Sequence, residues 1–170
     1  MGRWHEAPSA ETQHFIDKFR EAQVVARRHG HELGYSAARV GLLTSHFCGV
    51  SQDTFALSAD GGVSACYEVF AEDQQHADRF FYGKPRPDGG YDFDLNVLDK
   101  LRQQAVQHKP FCQGCFAKWH CAGDCHHNSL AGGDKEFAGS DRCHITRALT
   151  RDQILERIVD AGGVAWTGTP

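Results

Sequence analysis

Apolar residues recur with a helical period near the start of the chain. Within residues 9–29, Phe15, Phe19, Ala22 and Ala26 return at three- and four-residue intervals among charged neighbours, which predicts an amphipathic helix. Ser9 can cap its first amides, Glu11 favours the positive end of the dipole, and Gly30 supplies the stop. The following segment, HELGYSAARVG, holds a short run between Gly34 and Gly41 that predicts a strand. TFALSA and VSACYEVF are then separated by Asp60-Gly61-Gly62, a turn that tolerates positive φ, so a β-hairpin is expected with Cys66 on the returning strand. Cys48 lies just before this hairpin, so folding the turn can bring both thiols to one end of the ribbon.

Residues 71–79 are polar and predict a surface helix or loop, and FFYGKPRPDGGYDF, with two prolines and three glycines, reads as an extended loop. Its aromatics, Phe80, Phe81, Tyr82, Tyr91 and Phe93, are expected in a core, with a substrate groove as the alternative. Asp94 opens a second helix with Leu95, Leu98, Leu101 and Ala105 on one face, ending before Pro110. A polar, glycine-rich loop follows Cys125 and closes at Cys143. The last helix is expected from Thr146 to Asp160, with Leu149, Ile154, Leu155, Ile158 and Val159 apolar, a stop at Gly162-Gly163 and a loosely held tail. The class implied is α+β: a small β-hairpin plus helices and long loops.

Composition narrows the function. At 170 residues, with 41% hydrophobic and 24% charged, the chain suits one compact core. A net charge of -4 and scattered Lys and Arg leave no basic stripe, so nucleic acid is not an expected partner. No apolar run approaches the roughly 18 residues of a membrane span, and the N-terminus has no signal-peptide pattern, which points to a cytoplasmic protein with no membrane partner.

The cysteines carry the chemistry. Four lie in FCQGCFAKWHCAGDC at Cys112, Cys115, Cys121 and Cys125, spaced C-x2-C-x5-C-x3-C, and Cys48, Cys66 and Cys143 flank them. Seven is odd, which argues against a secreted disulfide scaffold, and clustered thiols in a reducing compartment serve as metal ligands. Two residues between cysteines bring both sulfurs to one side of a tight turn, a geometry used by zinc and by iron-sulfur clusters alike. A zinc ribbon would show a second C-x2-C, and here there is none. Seven thiols overfill one four-coordinate site and fall one short of two, so the arithmetic suggests two centres with an incomplete ligand set.

The full pattern resembles the SPASM domain, the C-terminal extension of radical S-adenosylmethionine enzymes that modify peptides and proteins. Its elements are matched by Cys48, by Gly61-x4-Cys66, by the run Cys112, Cys115, Cys121 and Cys125, and by Cys143, so the likeness spans residues 48–143. The resemblance implies a fold organised around two [4Fe-4S] clusters. It assigns Cys112, Cys115, Cys121 and Cys143 to one, and Cys48, Cys66 and Cys125 to the other, with no cysteine upstream to complete the second set. His46, Asp53, His126 and His127 are the candidates for the remaining ligand. The same resemblance divides the chain into a helical lead-in over 1–45, similar to the last helix of a radical enzyme barrel, an auxiliary-cluster domain over 46–145, and a C-terminal helix and tail over 146–170.

One departure limits the expected activity. The motif C-x3-C-x2-C that binds the S-adenosylmethionine-cleaving cluster is missing: Cys121 and Cys125 have the first spacing, but the third position is Asn128, and a barrel cannot fit before Cys48. The chain is therefore expected to act as a fragment or split partner of such an enzyme. Its role would be electron transfer and substrate positioning, with a radical enzyme barrel and a peptide or protein substrate as partners. The alternative is a structural zinc module for protein contacts, with Cys112, Cys115, Cys121 and either Cys125 or Cys143 as ligands. A third reading is a degenerate scaffold that binds a precursor peptide without intact clusters.

Overall fold

A computed structural model describes residues 7–129 and 139–164. The fold is α+β, with helices around a four-stranded antiparallel sheet. Two compact units share the chain: Met1–Leu43, Gly114–Cys121 and Ala138–Pro170 form the first, Thr44–Gln113 and Ala122–Phe137 the second. Among the described residues no helix is long and apolar enough to cross a membrane.

The first unit is built on two long helices. Helix α1, Ala10–Arg28, starts where Ser9 Oγ accepts the Thr12 amide, and ends in a Schellman cap: Gly30, at φ 74°, donates to Arg27 and His31 donates to Ala26. Its buried residues are Thr12 and Ile16, while Phe15 is exposed and stacks on Phe19, and both rings meet the Tyr35 edge. The buried stripe is thus rotated from the one that the aromatic residues predicted, because α1 packs on the last helix rather than on a sheet. Arg20 forks onto Asp152 at 2.7 and 3.3 Å, and Arg27 pairs with Glu156, on that shared face. The expected strand between Gly34 and Gly41 is a loop. Its backbone polar groups go to side chains instead, with Ala38 and Val40 satisfied by Gln153 and Arg157.

The second unit holds the sheet, a meander in the order β1-β2-β3-β4 of Ala56–Leu57, Val63–Ser64, Phe81–Pro85 and Tyr91–Phe93. The expected hairpin is present, with Ala56 opposite Ser64 and Leu57 opposite Val63. Cys66 lies beyond its returning strand rather than on it. The Ser64 hydroxyl accepts the Cys66 amide and donates to the Cys66 carbonyl, which ends the ladder in a local turn. The aromatic stretch read as an extended loop is instead a second hairpin. At its tip Gly89 donates to Arg86 and Arg86 to Gly90, the same bonds that Gly61 makes to Ser58 and Ser58 to Gly62. Both tips read x-Asp-Gly-Gly, with Gly61 at φ 85° and Gly89 at φ 84°.

Behind the sheet, α2, Ala77–Phe80, and α3, Leu95–Arg102, close the core. Asp94 caps α3 by accepting the Asn96 and Val97 amides. Leu98, Leu101 and Ala105 are buried as expected, whereas Leu95 is exposed and α3 stops at Arg102. Val50, Val63, Cys66, Val69, Phe80, Tyr82 and Leu101 share one cluster, so a thiol sits inside the core of this unit. Phe80 and Tyr82 fulfil the core role, and Phe93 is half exposed beside Tyr91.

Candidate metal centre

The boundary between the units divides the cysteine run. Cys48, Cys66, Cys112 and Cys125 belong to the second unit, and Cys115, Cys121 and Cys143 to the first. All seven are present as thiols, with Cys66 and Cys112 buried and Cys48 exposed. Among the described residues no three His, Cys, Asp or Glu side chains converge tightly enough to grip one metal ion.

In the second unit, Cys66 is the centre of its neighbourhood. Burial pushes its thiol up, the amides of Glu68 and Val69 aimed at the sulfur pull it back, and the nearby sulfurs of Cys125 and Cys48 raise it again. Cys48 leads directly into a 3-10 turn, Gly49–Ser51, where a Cβ on Gly49 would coincide with the Thr54 hydroxyl. Cys112 closes the turn Pro110–Cys112, its amide bonded to the Lys109 carbonyl at 2.9 Å.

Cys125 reaches its place through a strained turn. Ala122, Gly123 and Asp124 are consecutive left-handed residues, at φ 54°, 81° and 63°. Such a conformation costs about 1–3 kcal/mol at each non-glycine position, and it persists only where the surroundings enforce it. Here the Lys109 ammonium donates to the Gly123 carbonyl at 2.8 Å, and Asp124 Oδ1 accepts the Cys125 amide at 2.7 Å. The three residues that separate Cys121 from Cys125 therefore turn the chain by backbone conformation that spacing alone did not reveal.

The histidines beside Cys125 start the one-turn helix α5, His126–Ser129, in a stretch read from the sequence as loop; residues 130–138 of that stretch lie outside the described residues, as does the tail from residue 165. The His126 and His127 rings both pack on Phe80, with centroids at 5.6 and 6.0 Å. Burial, followed by the positive charges of Lys109 and Arg79, pushes His126 down to about 4, so its ring is neutral near pH 7. Asp53 is committed elsewhere, forked by Arg102 at 2.8 and 2.9 Å, while His46 Nδ1 lies 2.9 Å from the Ser45 hydroxyl.

In the first unit, α4, Lys118–Cys121, carries Cys121, and α6, Asp141–Asp160, carries Cys143, while Cys115 lies in the turn before α4. The last helix begins five residues before the expected Thr146, so Cys143 lies in its first turn rather than in a loop. Burial raises the Cys115 thiol, opposed by the amides of Ala117 and Lys118 and by the Arg147 guanidinium. Arg147, on α6, also stands 6.0 Å from the Phe116 ring. From the loop that Gln153 and Arg157 hold, Arg39 donates to the His120 and Cys121 carbonyls at 3.3 and 3.4 Å.

Cys66 and Cys115 thus repeat one local design: a thiol followed two and three residues later by amides directed at its sulfur. Amides so placed stabilise thiolate charge and are a recognised control on iron-sulfur sites. Three polar atoms of the first unit, His120 Nδ1, Thr146 Oγ1 and Thr150 Oγ1, are buried without a hydrogen-bond partner among the described residues. The donors are all thiols, but among the described residues no three of them form a group that could hold a metal ion. Sequence reasoning did not single out Arg147, Thr146 or Arg39; the period of α6 would have exposed the first two had its start been placed at Ser140. No family model, curated protein or solved structure matches the chain.

Proposed function

We propose that the chain is an auxiliary iron-sulfur module of the SPASM type, serving radical S-adenosylmethionine-dependent modification of a peptide or protein in the cytoplasm as a fragment or split partner of the barrel. The observation that supports this reading is that Cys125 and Cys48, which the resemblance groups with Cys66, are the two thiols whose charge raises the Cys66 thiol. Cys48, Cys66 and Cys125 would hold that cluster, and Cys112, Cys115, Cys121 and Cys143 the other. When bound, such clusters supply one-electron relay at a potential set by ligands, burial and hydrogen bonds to sulfur. The chain itself supplies thiolates, the amides of Glu68, Val69, Ala117 and Lys118 that steady them, and apolar cover from Phe80 and Val69.

The deciding measurement is anaerobic reconstitution followed by iron, sulfide and zinc analysis. About eight irons per chain with matching sulfide is the expected result. Stoichiometric zinc without sulfide would refute the reading in favour of a structural zinc module.

A further inference from the structure

The sheet of the second unit carries an apolar trough beside an unpaired edge. Its register sets Leu57 opposite Val63, Val63 opposite Gly83 and Gly83 opposite Phe93, so one row of residues crosses all four strands. Gly83 adds no side chain to that row, and the Phe93 ring lies against it. Leu57, Val63 and Phe93, with Phe55 and with Leu95 and Leu98 of α3, line a groove of about 410 Å3. Val63 and Leu98 are buried, whereas Phe55, Leu57, Phe93 and Leu95 are each more than half exposed. Large apolar side chains gathered in this way mark a binding surface rather than ordinary scattered exposure.

Strand β1 forms one edge of the sheet. Ser58 donates to Gly62 and Ala56 stands opposite Ser64, so these residues turn their backbone polar groups inward to β2. By alternation Leu57 and Phe55 turn theirs outward, where no partner meets them among the described residues. The residues with open backbone groups are thus the ones whose side chains wall the groove on that side. An added strand would use both features at once, backbone against backbone and apolar side chains into the trough. Asp53 and Asp60 bracket β1, and Arg102, which forks Asp53, is shared with Asp99, so that end stays negative. A second copy pairing antiparallel along β1 would bring these carboxylates together at both ends, and like charges so placed oppose pairing. A segment with cations at its ends meets them favourably.

We propose that the groove and the β1 edge together bind an extended apolar peptide with a basic residue at each end, which adds antiparallel to β1 as a fifth strand. Every contact comes from the second unit's own residues, and none from a metal ion or cluster.

The probe is a short synthetic peptide of alternating valine and threonine with a lysine at each end, its termini blocked, titrated into the full reduced chain by calorimetry. Saturable binding is expected, about tenfold weaker when glutamates replace the lysines. The valine amides face β1 when the valine side chains enter the trough, so N-methylation of the valines should weaken binding by about tenfold or more, and N-methylation of the threonines should not. Leu57→Ser, at an exposed position, should keep the circular dichroism of the fold and weaken binding about tenfold. No saturable binding of the lysine-ended peptide, or equal affinity for its valine-methylated form, would overturn strand addition at β1. A dimer in sedimentation that Leu57→Ser dissociates would assign the trough to a second copy and likewise overturn it. Iron uptake, measured separately on the same chain, tests the cluster reading alone.

Discussion

His126 makes folding of the metal-free chain sensitive to acid. Its ring is held against Phe80 and pushed down to about 4 from an ordinary value of 6.5, first by burial and then by Lys109, Arg79, His127 and His76. Because the folded value is depressed, the unfolded chain binds the proton more readily, and stability rises with pH between about 4 and 6.5. Stability is then lost as pH falls through that window and is complete above it. At about pH 4.5, a difference of this size corresponds to roughly 2.5 kcal/mol, and about 2 kcal/mol after allowing for the part of the ring that solvent reaches. Urea unfolding of the reduced, metal-free chain, followed by circular dichroism at about pH 7 and pH 4.5, measures it. His126→Gln should lose about 2 kcal/mol less than wild type between the two conditions, whatever its absolute stability. The carboxylates lowered by their partners, Asp53, Asp60 and Asp88, act at lower pH and cancel in the comparison. Equal losses in the two proteins would refute the claim that a neutral His126 is built into the fold.

Other perturbations probe different layers. Cys115→Ala should remove about half the iron after reconstitution and lower thermal stability of the loaded chain, since metal binding and folding are coupled; unchanged iron would exclude Cys115 as a ligand. Thr150→Val should stabilise the metal-free chain by about 1 kcal/mol, because the hydroxyl is fully buried without a partner among the described residues and a methyl of similar shape replaces it. Loss of stability in urea unfolding would contradict that account. Gly89→Ala should cost about 1–2 kcal/mol through its positive φ alone, since a Cβ there meets open space. Gly83→Ala should act by collision instead, its Cβ lying 2.8 Å from Val63 Cβ and 2.9 Å from the Phe93 ring. Overpacking of this kind costs about 1–3 kcal/mol and should perturb the aromatic circular dichroism, which Gly89→Ala should leave intact.

Two of the cysteines are anchored by the packing of the second unit. Cys66 is part of an apolar core that includes Val69 and Phe80, and Cys112 is buried at the end of a turn. Packing therefore fixes these two thiols within the second unit. The left-handed run Ala122-Gly123-Asp124 is the point at which that placement is costly, and Lys109 and Asp124 supply its polar restraints.

Local signals were legible in the sequence because their physics is local. Ser9 and Asp94 cap helices through oxygens two or three residues from the amides they accept, and Gly30 and Gly162 stop helices by adopting positive φ. The Asp60-Gly61-Gly62 turn made a hairpin for the same reason. The Asp88-Gly89-Gly90 turn carried the same signal, masked by Pro85 and Pro87, which sit at the strand end and in the tip where a lost amide does no harm. The α+β class and the seven thiols were likewise readable in the chain. What only the tertiary structure decided depends on distant partners. Ile16 rather than Phe15 is buried because α6, more than a hundred residues away, supplies the opposing face. Cys66 is buried in the core with Val69 and Phe80 because the sheet and α2 close over it, and Cys125 follows a left-handed turn at Ala122-Gly123-Asp124 that sequence spacing alone could not order.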